Sequence, residues 1–235
     1  MSGHIGIVAC SAEGAALCYR TICLEGAQLL GPHAHPEVSM HTPSFARYMH
    51  CIDRGDWQAV AQLMLDSALK LSAIGADFLI CPDNTMHQAL PYVQPHSPLP
   101  WLHIAEVVAA EAQRRGLRRL GLTGTRWLVQ STVYPDKLAA RGIEFARPEA
   151  AECEQINRII MQELVRGLFR PEAVAYFQQV MQRLAACGCD AVVLGCTEIP
   201  LIMNDSNSPL PTLDSTRLLA RAALQRAVQG STDRG

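Results

Sequence analysis

The sequence predicts an α/β protein of two similar lobes. Each lobe is a mainly parallel sheet flanked by helices, the lobes are related by a pseudo-twofold, and an active-site cleft lies between them. Three observations predict it. Short apolar runs alternate with longer helical stretches along the whole chain, which is the pattern of βα units. The clearest strands are continuous apolar runs, as strands buried on both faces are. The chain also repeats itself. Gly75-Ala76-Asp77-Phe78-Leu79-Ile80-Cys81-Pro82-Asp83-Asn84-Thr85 matches Gly188-Cys189-Asp190-Ala191-Val192-Val193-Leu194-Gly195-Cys196-Thr197-Glu198 at an offset of 113, aligning the glycines, the aspartates and four apolar strand positions. Ile5-Gly6-Ile7 matches Leu120-Gly121-Leu122, and Tyr19 matches Tyr134, at an offset of 115. Two half-domains on one plan predict a site built from both sets of strand ends, with Asp83 opposite Cys196.

Taken in order, His4–Ala9 is an apolar strand that ends in small polar residues, and Ala12–Leu30 is a helix. Glu37–His41 is a weaker strand, Asp56–Ala73 a helix stopped by Gly75, and Asp77–Cys81 a strand. Leu90–Pro100 is proline-rich and joins or caps the first lobe. Ile104–Arg115 is a helix closed by Gly116, with the Arg114-Arg115 and Arg118-Arg119 pairs flanking the end where basic residues suit the dipole. Arg119–Thr123 is a strand, Val129–Ala140 a helix, Ile143–Ala146 a weaker strand and Ala151–Arg166 a helix. Pro171 opens a helix to Ala186 that Gly188 stops, and Ala191–Leu194 is the last clear strand. Asp214–Val228 is a helix, and the polar tail after Gly230 frays. The lobes are expected at residues 1–100 with 214–235, and at 101–213.

At 235 residues the chain can supply two cores. Hydrophobic residues at 49% against 18% charged are ordinary for a soluble protein, and a net charge of −2 offers no field for nucleic acid or an anionic membrane. No charged segment followed by a long apolar stretch opens the chain, and no apolar run reaches the ~18 residues of a membrane span. A cytoplasmic protein is expected. The cysteine count of nine, odd and without a secretion signal, reads as reduced thiols rather than a disulfide framework. Neither a P-loop nor a dinucleotide fingerprint is present.

Ligands of open α/β sheets collect beyond the carboxyl ends of strands. Four such ends carry polar groups: Cys10, Ser11 and Glu13; then Cys81, Asp83, Asn84 and Thr85; then Thr123, Gly124 and Thr125; then Cys196, Thr197 and Glu198. Hydroxyls, amides and free backbone N–H groups at strand-to-helix turns suit a small carboxylate ligand. A metal site from His33, His35, His41 and Glu37 is not expected, because His33 and His35 lie in a Gly-Pro-rich loop without matched cysteines. Cys187 and Cys189 form a C-x-C pair, which helix-to-strand packing explains.

Cys196-Thr197-Glu198-Ile199-Pro200 and Asn84-Thr85-Met86-His87 resemble the two signatures of the aspartate/glutamate racemase superfamily, and Leu120-Gly121-Leu122-Thr123-Gly124-Thr125-Arg126 resembles its mid-chain turn. The resemblance covers nearly the whole chain. It implies a homodimer, no pyridoxal phosphate, no metal, and two acid/base residues that flank the α-carbon of a small carboxylate or amino-acid substrate. Carried onto this chain, those residues are Asp83 and Cys196, with Ser11, Asn84, Thr85, Thr125 and Thr197 binding the substrate's α-carboxylate and α-amino group. Glu198 either orients Cys196 or favours a helix N-terminus; His87 is a turn histidine or a base.

The chain departs from that pattern at one place. Family racemases usually carry cysteine directly before the Asn-Thr pair, where this chain has Asp83, with Cys81 two residues earlier. The internal repeat aligns Cys81 with strand residue Leu194 and Asp83 with Cys196, which favours Asp83 as the group facing substrate. An ordinary thiol has a pKa of about 8.5 and an aspartate about 3.9, so the pair is mismatched unless burial raises the carboxylate. The leading expectation is racemisation of an aspartate- or glutamate-like amino acid. The same superfamily also holds arylmalonate decarboxylases and maleate isomerases, so a decarboxylase or cis-trans isomerase of a small dicarboxylate is the alternative. A binding protein that kept the cleft and lost the chemistry is the third.

Overall fold

A computed structural model describes residues 2–229. Its contacts divide the chain into two compact units. One runs to Ile104 and takes back the chain from Thr216; the other is Ala105–Ser215.

In the first unit, strand β1 (Ile5–Val8) leads to helix α1 (Ala12–Leu30), β2 (Val38–His41), α2 (Phe45–Ile52), α3 (Trp57–Ala73) and β3 (Phe78–Ile80). Two 3-10 turns, Asn84–Ala89 and Gln94–His96, flank α4 (Leu90–Val93), and β4 (Trp101–Leu102) completes a parallel sheet of order β2-β1-β3-β4. The second unit takes α5 (Ile104–Arg114), β5 (Arg119–Thr123), α6 (Arg126–Val129), α7 (Val133–Ala139), β6 (Glu144–Ala146), α8 (Ala150–Gln162), α9 (Pro171–Ala186), β7 (Ala191–Leu194) and β8 (Thr212–Asp214). Its parallel sheet has the order β6-β5-β7-β8. Helix α10 (Ser215–Gln229) belongs mostly to the first unit, where Gly3 N donates to Ala227 O at 2.8 Å and the Arg226 guanidinium lies 4.7 Å from the Phe78 ring centroid.

The sequence repeat is a repeat of bonds. In the first unit Ile5 faces Phe78 and Gly6 faces Leu79; in the second Leu120 faces Ala191 and Gly121 faces Val192, which is the same register. Asp77 anchors the first pair of strands, its Oδ2 accepting from His4 N at 2.7 Å while its own N donates to His4 O at 2.8 Å. Asp190 does the same for the second pair, accepting from Arg118 N at 2.7 Å and donating to Arg119 O at 2.9 Å. Gly6 and Gly121 let a helix press onto each sheet. A Cβ on Gly121 would meet Leu184 Cδ1 of α9 at 2.8 Å; one on Gly6 would meet Leu79 Cδ2 at 2.6 Å and Leu71 Cβ of α3 at 3.4 Å. Leu71 and Leu184 are themselves repeat partners at the 113 offset.

Local chemistry sets the helix starts. Ser11 Oγ accepts from Gly14 N at 3.3 Å to cap α1, and Asp56 Oδ1 accepts from Ala59 N at 3.0 Å to cap α3. Glu149 and Glu152 form a reciprocal box at the start of α8. Behind the β7 turn, the second core gathers Ile156, Ile160, Phe177, Met181, Val192 and Ile199.

Several elements differ from the sequence expectation. The stretch 129–140 is not one helix: α6 stops at Val129, and Ser131 turns the chain, its Oγ donating to Leu128 O at 2.7 Å and accepting from Val133 N at 3.3 Å. A side chain that bonds nearby backbone competes with the helix. Leu90–Pro100, expected to join or cap the first lobe, contains helical turns. Helix α2 and the short strands β4 and β8 were not anticipated, and Asp214 ends β8 instead of opening a helix. The tail after Gly230 lies outside the described residues. The Tyr19–Tyr134 correspondence fails in environment: Tyr19 is 41% exposed and Tyr134 only 2%.

Candidate active site

The first unit builds one polar turn. Parallel pairing of β1 with β3 brings their carboxyl ends side by side, and the bond between them is Ser11 N to Asp83 Oδ2 at 3.1 Å. Asp83 is half-buried and precedes the 3-10 turn in which Asn84, Thr85 and His87 are all buried. His87 Nε2 lies 3.0 Å from Cys81 O, and its ring stands 4.6 Å from that of His103. This histidine therefore braces the turn from behind.

Cys81 sits inside the protein with no exposed surface. Its Sγ is directed to Asp83 O at 3.8 Å. Burial, reinforced by the charge of Asp83, pushes its thiol far above the usual range. A thiol in that state is a poor source of thiolate.

The second unit builds the corresponding turn. Gly195 N donates to Thr123 O at 3.0 Å, joining the end of β7 to the end of β5. Next in the chain, Cys196 is 8% exposed, and its Sγ donates to Glu198 Oε2 at 2.9 Å. The same carboxylate oxygen accepts from Thr197 Oγ1 at 2.7 Å. Glu198 Oε2 thus accepts from both of the side chains that precede it. Thr125 caps α6, its Oγ1 accepting from Leu128 N at 3.4 Å, and Thr123 Oγ1 donates to Val193 O at 2.7 Å. Burial raises the Tyr134 phenol, against a hydrogen bond with Ser215, while Asp214 adds to the rise.

Of the expected site residues, Ser11, Asp83, Asn84 and Thr85 gather in the first unit, and Thr125, Cys196 and Thr197 in the second. Two of the histidines weighed as metal ligands are engaged elsewhere. His35 Nδ1 is 2.8 Å from Pro36 O, and His41 lies between Ser67 and Lys70. Among the described residues no group of three or more His, Cys, Asp or Glu is placed to hold a metal ion, and no helix is long and apolar enough to cross a membrane. One group that sequence reasoning missed is Tyr48. It is wholly buried, and burial pushes its phenol far above the usual range. Its only sequence signal was an aromatic residue inside the unrecognised α2.

Two matched turns at the carboxyl ends of parallel strands, one with aspartate and one with cysteine, are what the family comparison bears on. Residues 7–223 match the Asp/Glu/hydantoin racemase family. The chain belongs to that family. Among the chain's relatives is the broad specificity amino-acid racemase RacX of Bacillus subtilis, 25% identical over 172 residues that make up 72% of this chain and 73% of RacX. The crystal structure of a candidate Asp/Glu racemase from Yersinia pestis is similar with a TM-score of 0.88 and 30% identity, covering 97% of this chain and all of the other. An aspartate racemase homologue from Pyrococcus horikoshii OT3 gives a TM-score of 0.83 and 25% identity, again over 97% of this chain and all of the other.

Proposed function

We propose that this racemase-family protein interconverts the enantiomers of an amino acid, using Asp83 and Cys196 as its two proton-transfer groups and no pyridoxal phosphate or metal. The observation that carries the reading is the duplicated turn, which offers one acid/base group at the same place in each copy of a shared frame. Asp83 leads over Cys81 because Cys81 is buried and its thiol is held neutral. Glu198 takes the Cys196 proton across 2.9 Å, which leaves a thiolate to abstract the substrate's α-proton. Asp83, once protonated, returns a proton to the opposite face, and the roles reverse for the other enantiomer. Ser11, Asn84, Thr85, Thr125 and Thr197 hold the α-carboxylate and α-amino group. The substrate is an aspartate- or glutamate-like amino acid. RacX, whose name gives it broad specificity, supports a panel that extends beyond these two. The working form is a cytoplasmic homodimer, which sedimentation of the purified protein tests.

The test is incubation in deuterium oxide with D- and L-amino acids and no added cofactor, with proton NMR following the α-hydrogen. Exchange is expected in the wild type and lost in both Cys196→Ala and Asp83→Ala. Full activity in either variant defeats the two-base assignment. A second reading is favoured by one observation, the carboxylate of Asp83 where family racemases usually carry a thiol. It is proton delivery to one face, with Cys196 as acid, in a decarboxylase or cis-trans isomerase of a small dicarboxylate. Carbon dioxide release from a malonate, or fumarate from maleate, would identify it. Calorimetric binding of an amino acid without exchange would instead identify a binding protein.

A further inference from the structure

Each unit fixes the turn after its first strand with a side-chain oxygen, but draws that oxygen from a different place. At the offset of 115 that aligns β1 with β5, Ser11 corresponds to Arg126. Ser11 N donates to Asp83 Oδ2 at 3.1 Å, and Arg126 N donates to Asn157 Oδ1 at the same 3.1 Å. The first bond runs between two neighbouring strand ends. The second leaves the strand ends for the middle of α8, which packs on α6. The reason lies in the residue at the Asp83 place. Its repeat partner is Cys196, whose Sγ donates to Glu198 Oε2 at 2.9 Å, and a thiol sulfur is a weak acceptor. The second unit has no carboxylate at that place to take the N–H, and Asn157 takes it instead.

Asn157 is well placed to do this. Helix α8 begins in the Glu149–Glu152 box, and Ile156 and Ile160 of the same helix are buried in the second core, so its frame is rigid. Asparagine is a weak helix former, and nothing in α8 itself favours it at a mid-helix position. Its bond closes a short span of chain. Thr123 O accepts from Gly195 N at 3.0 Å, and Arg126 N is held by Asn157, so Gly124 and Thr125 between them are pinned at both ends. We propose that Asn157 is a positioning residue for the Thr125 turn: by holding Arg126 N from α8 it fixes how the Thr125 side chain is presented to substrate. This rests on the reading of Thr125 as a substrate-binding residue. It also divides labour unequally between the units. In the first, the Asp83 carboxylate both braces its turn and serves as the acid/base group. In the second, Asn157 braces and Cys196 reacts, so the proton on Cys196 can come and go without loosening the brace.

The experiment compares Asn157→Ala and Asn157→Asp in the full chain. Alanine removes the oxygen and is the better helix former, so α8 is not weakened; aspartate keeps an oxygen in the same place. Amide hydrogen exchange followed by NMR reads the brace directly. In Asn157→Ala the Arg126 amide is expected to exchange about tenfold faster while the Ser11 amide is unmoved, and in Asn157→Asp both should stay as in the wild type. Kinetics with L-aspartate and L-glutamate in the deuterium assay read the consequence. KM should rise about tenfold in Asn157→Ala, with kcat within about twofold, and return in Asn157→Asp. A merely structural role predicts a lower Tm with KM unmoved. An Arg126 amide that exchanges no faster in Asn157→Ala overturns the proposal, whatever the activity. So does a KM unmoved in Asn157→Ala where Thr125→Ala raises it, or one raised as much by aspartate as by alanine. Should Asn157→Ala fail to fold, Asn157→Ser, whose oxygen falls one bond short, is read by the same criteria. A loosened Arg126 amide with KM unmoved in both Asn157→Ala and Thr125→Ala keeps the brace and removes the reading of Thr125, so the two failures are distinguishable.

Discussion

Gly195 is the residue on which the Cys196 turn depends most directly, and Gly195→Ala tests that dependence. A Cβ at this position would lie 2.5 Å from Thr123 O and 2.6 Å from Leu128 Cδ2. Leu128 can rotate, but Thr123 O cannot, because it is backbone and already accepts from Gly195 N at 3.0 Å. The added methyl must therefore push the ends of β5 and β7 apart. That breaks the bond and moves the residue next in the chain, Cys196. Overpacking against backbone, plus one lost buried hydrogen bond, costs about 3–4 kcal/mol. The control is Gly142→Ala, where φ is +66° and nothing lies within 4 Å of the new Cβ. That variant meets only the left-handed strain of about 1–2 kcal/mol. For a chain of this size the expected falls in Tm are about 6–16 °C at Gly195 and about 2–8 °C at Gly142. Scanning calorimetry of both variants, with iodoacetamide labelling of Cys196 as a local readout, checks the pair. A Gly195→Ala protein that melts no lower than Gly142→Ala and labels like wild type refutes the reasoning.

Three further outcomes are expected. Glu198→Gln keeps the shape but removes the carboxylate that accepts from Cys196 and Thr197, so exchange should fall about 100-fold while KM for the amino acid changes little, as steady-state kinetics would show. Cys81→Ala should retain most activity and lose about 1 kcal/mol of stability, and native thiol titration near neutral pH should label exposed Cys187 while sparing Cys81. Glu111 is held at a pKa of about 2, chiefly by a hydrogen bond from Arg114 and then by one from Arg115. Its stabilisation is therefore present above the ordinary carboxylate pKa and is lost as pH falls through about 2. Glu111→Gln should cost about 1 kcal/mol at pH 7 and progressively less as pH falls towards and below 2, read as Tm against pH.

What could be read from the sequence was whatever depends on neighbours a few residues away. Ala12–Leu30 and Pro171–Ala186 form helices over those spans because each carries its own cap or first-turn proline. Arg119–Thr123 and Ala191–Leu194 are strands because a short apolar run after a glycine stop has few other options. The elements that were missed owe their form to distant partners. β8 exists because Val192 N finds Pro211 O at 2.9 Å, and because Asp205 accepts from Thr212 N at 2.7 Å. Nothing near Thr212 announces either bond. Tyr48 was invisible for the same reason, since it is wholly buried on a helix that no local signal announces. Tyr19 shows the opposite error. Its match to Tyr134 is real as letters and false as environment, because nothing in a letter encodes which face of a helix is covered.

The repeat was most reliable where it recorded backbone geometry and least where it recorded chemistry. Asp77 and Asp190 make corresponding bonds at the leading ends of β1 and β5, and Leu71 and Leu184 press on Gly6 and Gly121. Past the strand ends the two copies diverge. One turn carries Asp83 tied to the Ser11 amide; the other carries Cys196 tied to Glu198. Each acid/base group therefore has its own local partner. A backbone N–H holds the Asp83 carboxylate, whereas a carboxylate accepts from the Cys196 thiol, so unlike groups at equivalent places have unlike supports. Replacing Asp83 by cysteine would restore the matched pair but leave the new thiol without a carboxylate at the Glu198 position, where the repeat supplies Thr85. Asp83→Cys alone is thus expected to exchange α-hydrogen more slowly than the double variant Asp83→Cys with Thr85→Glu, and equal rates in the deuterium assay would show that the local partner is not what sets the chemistry.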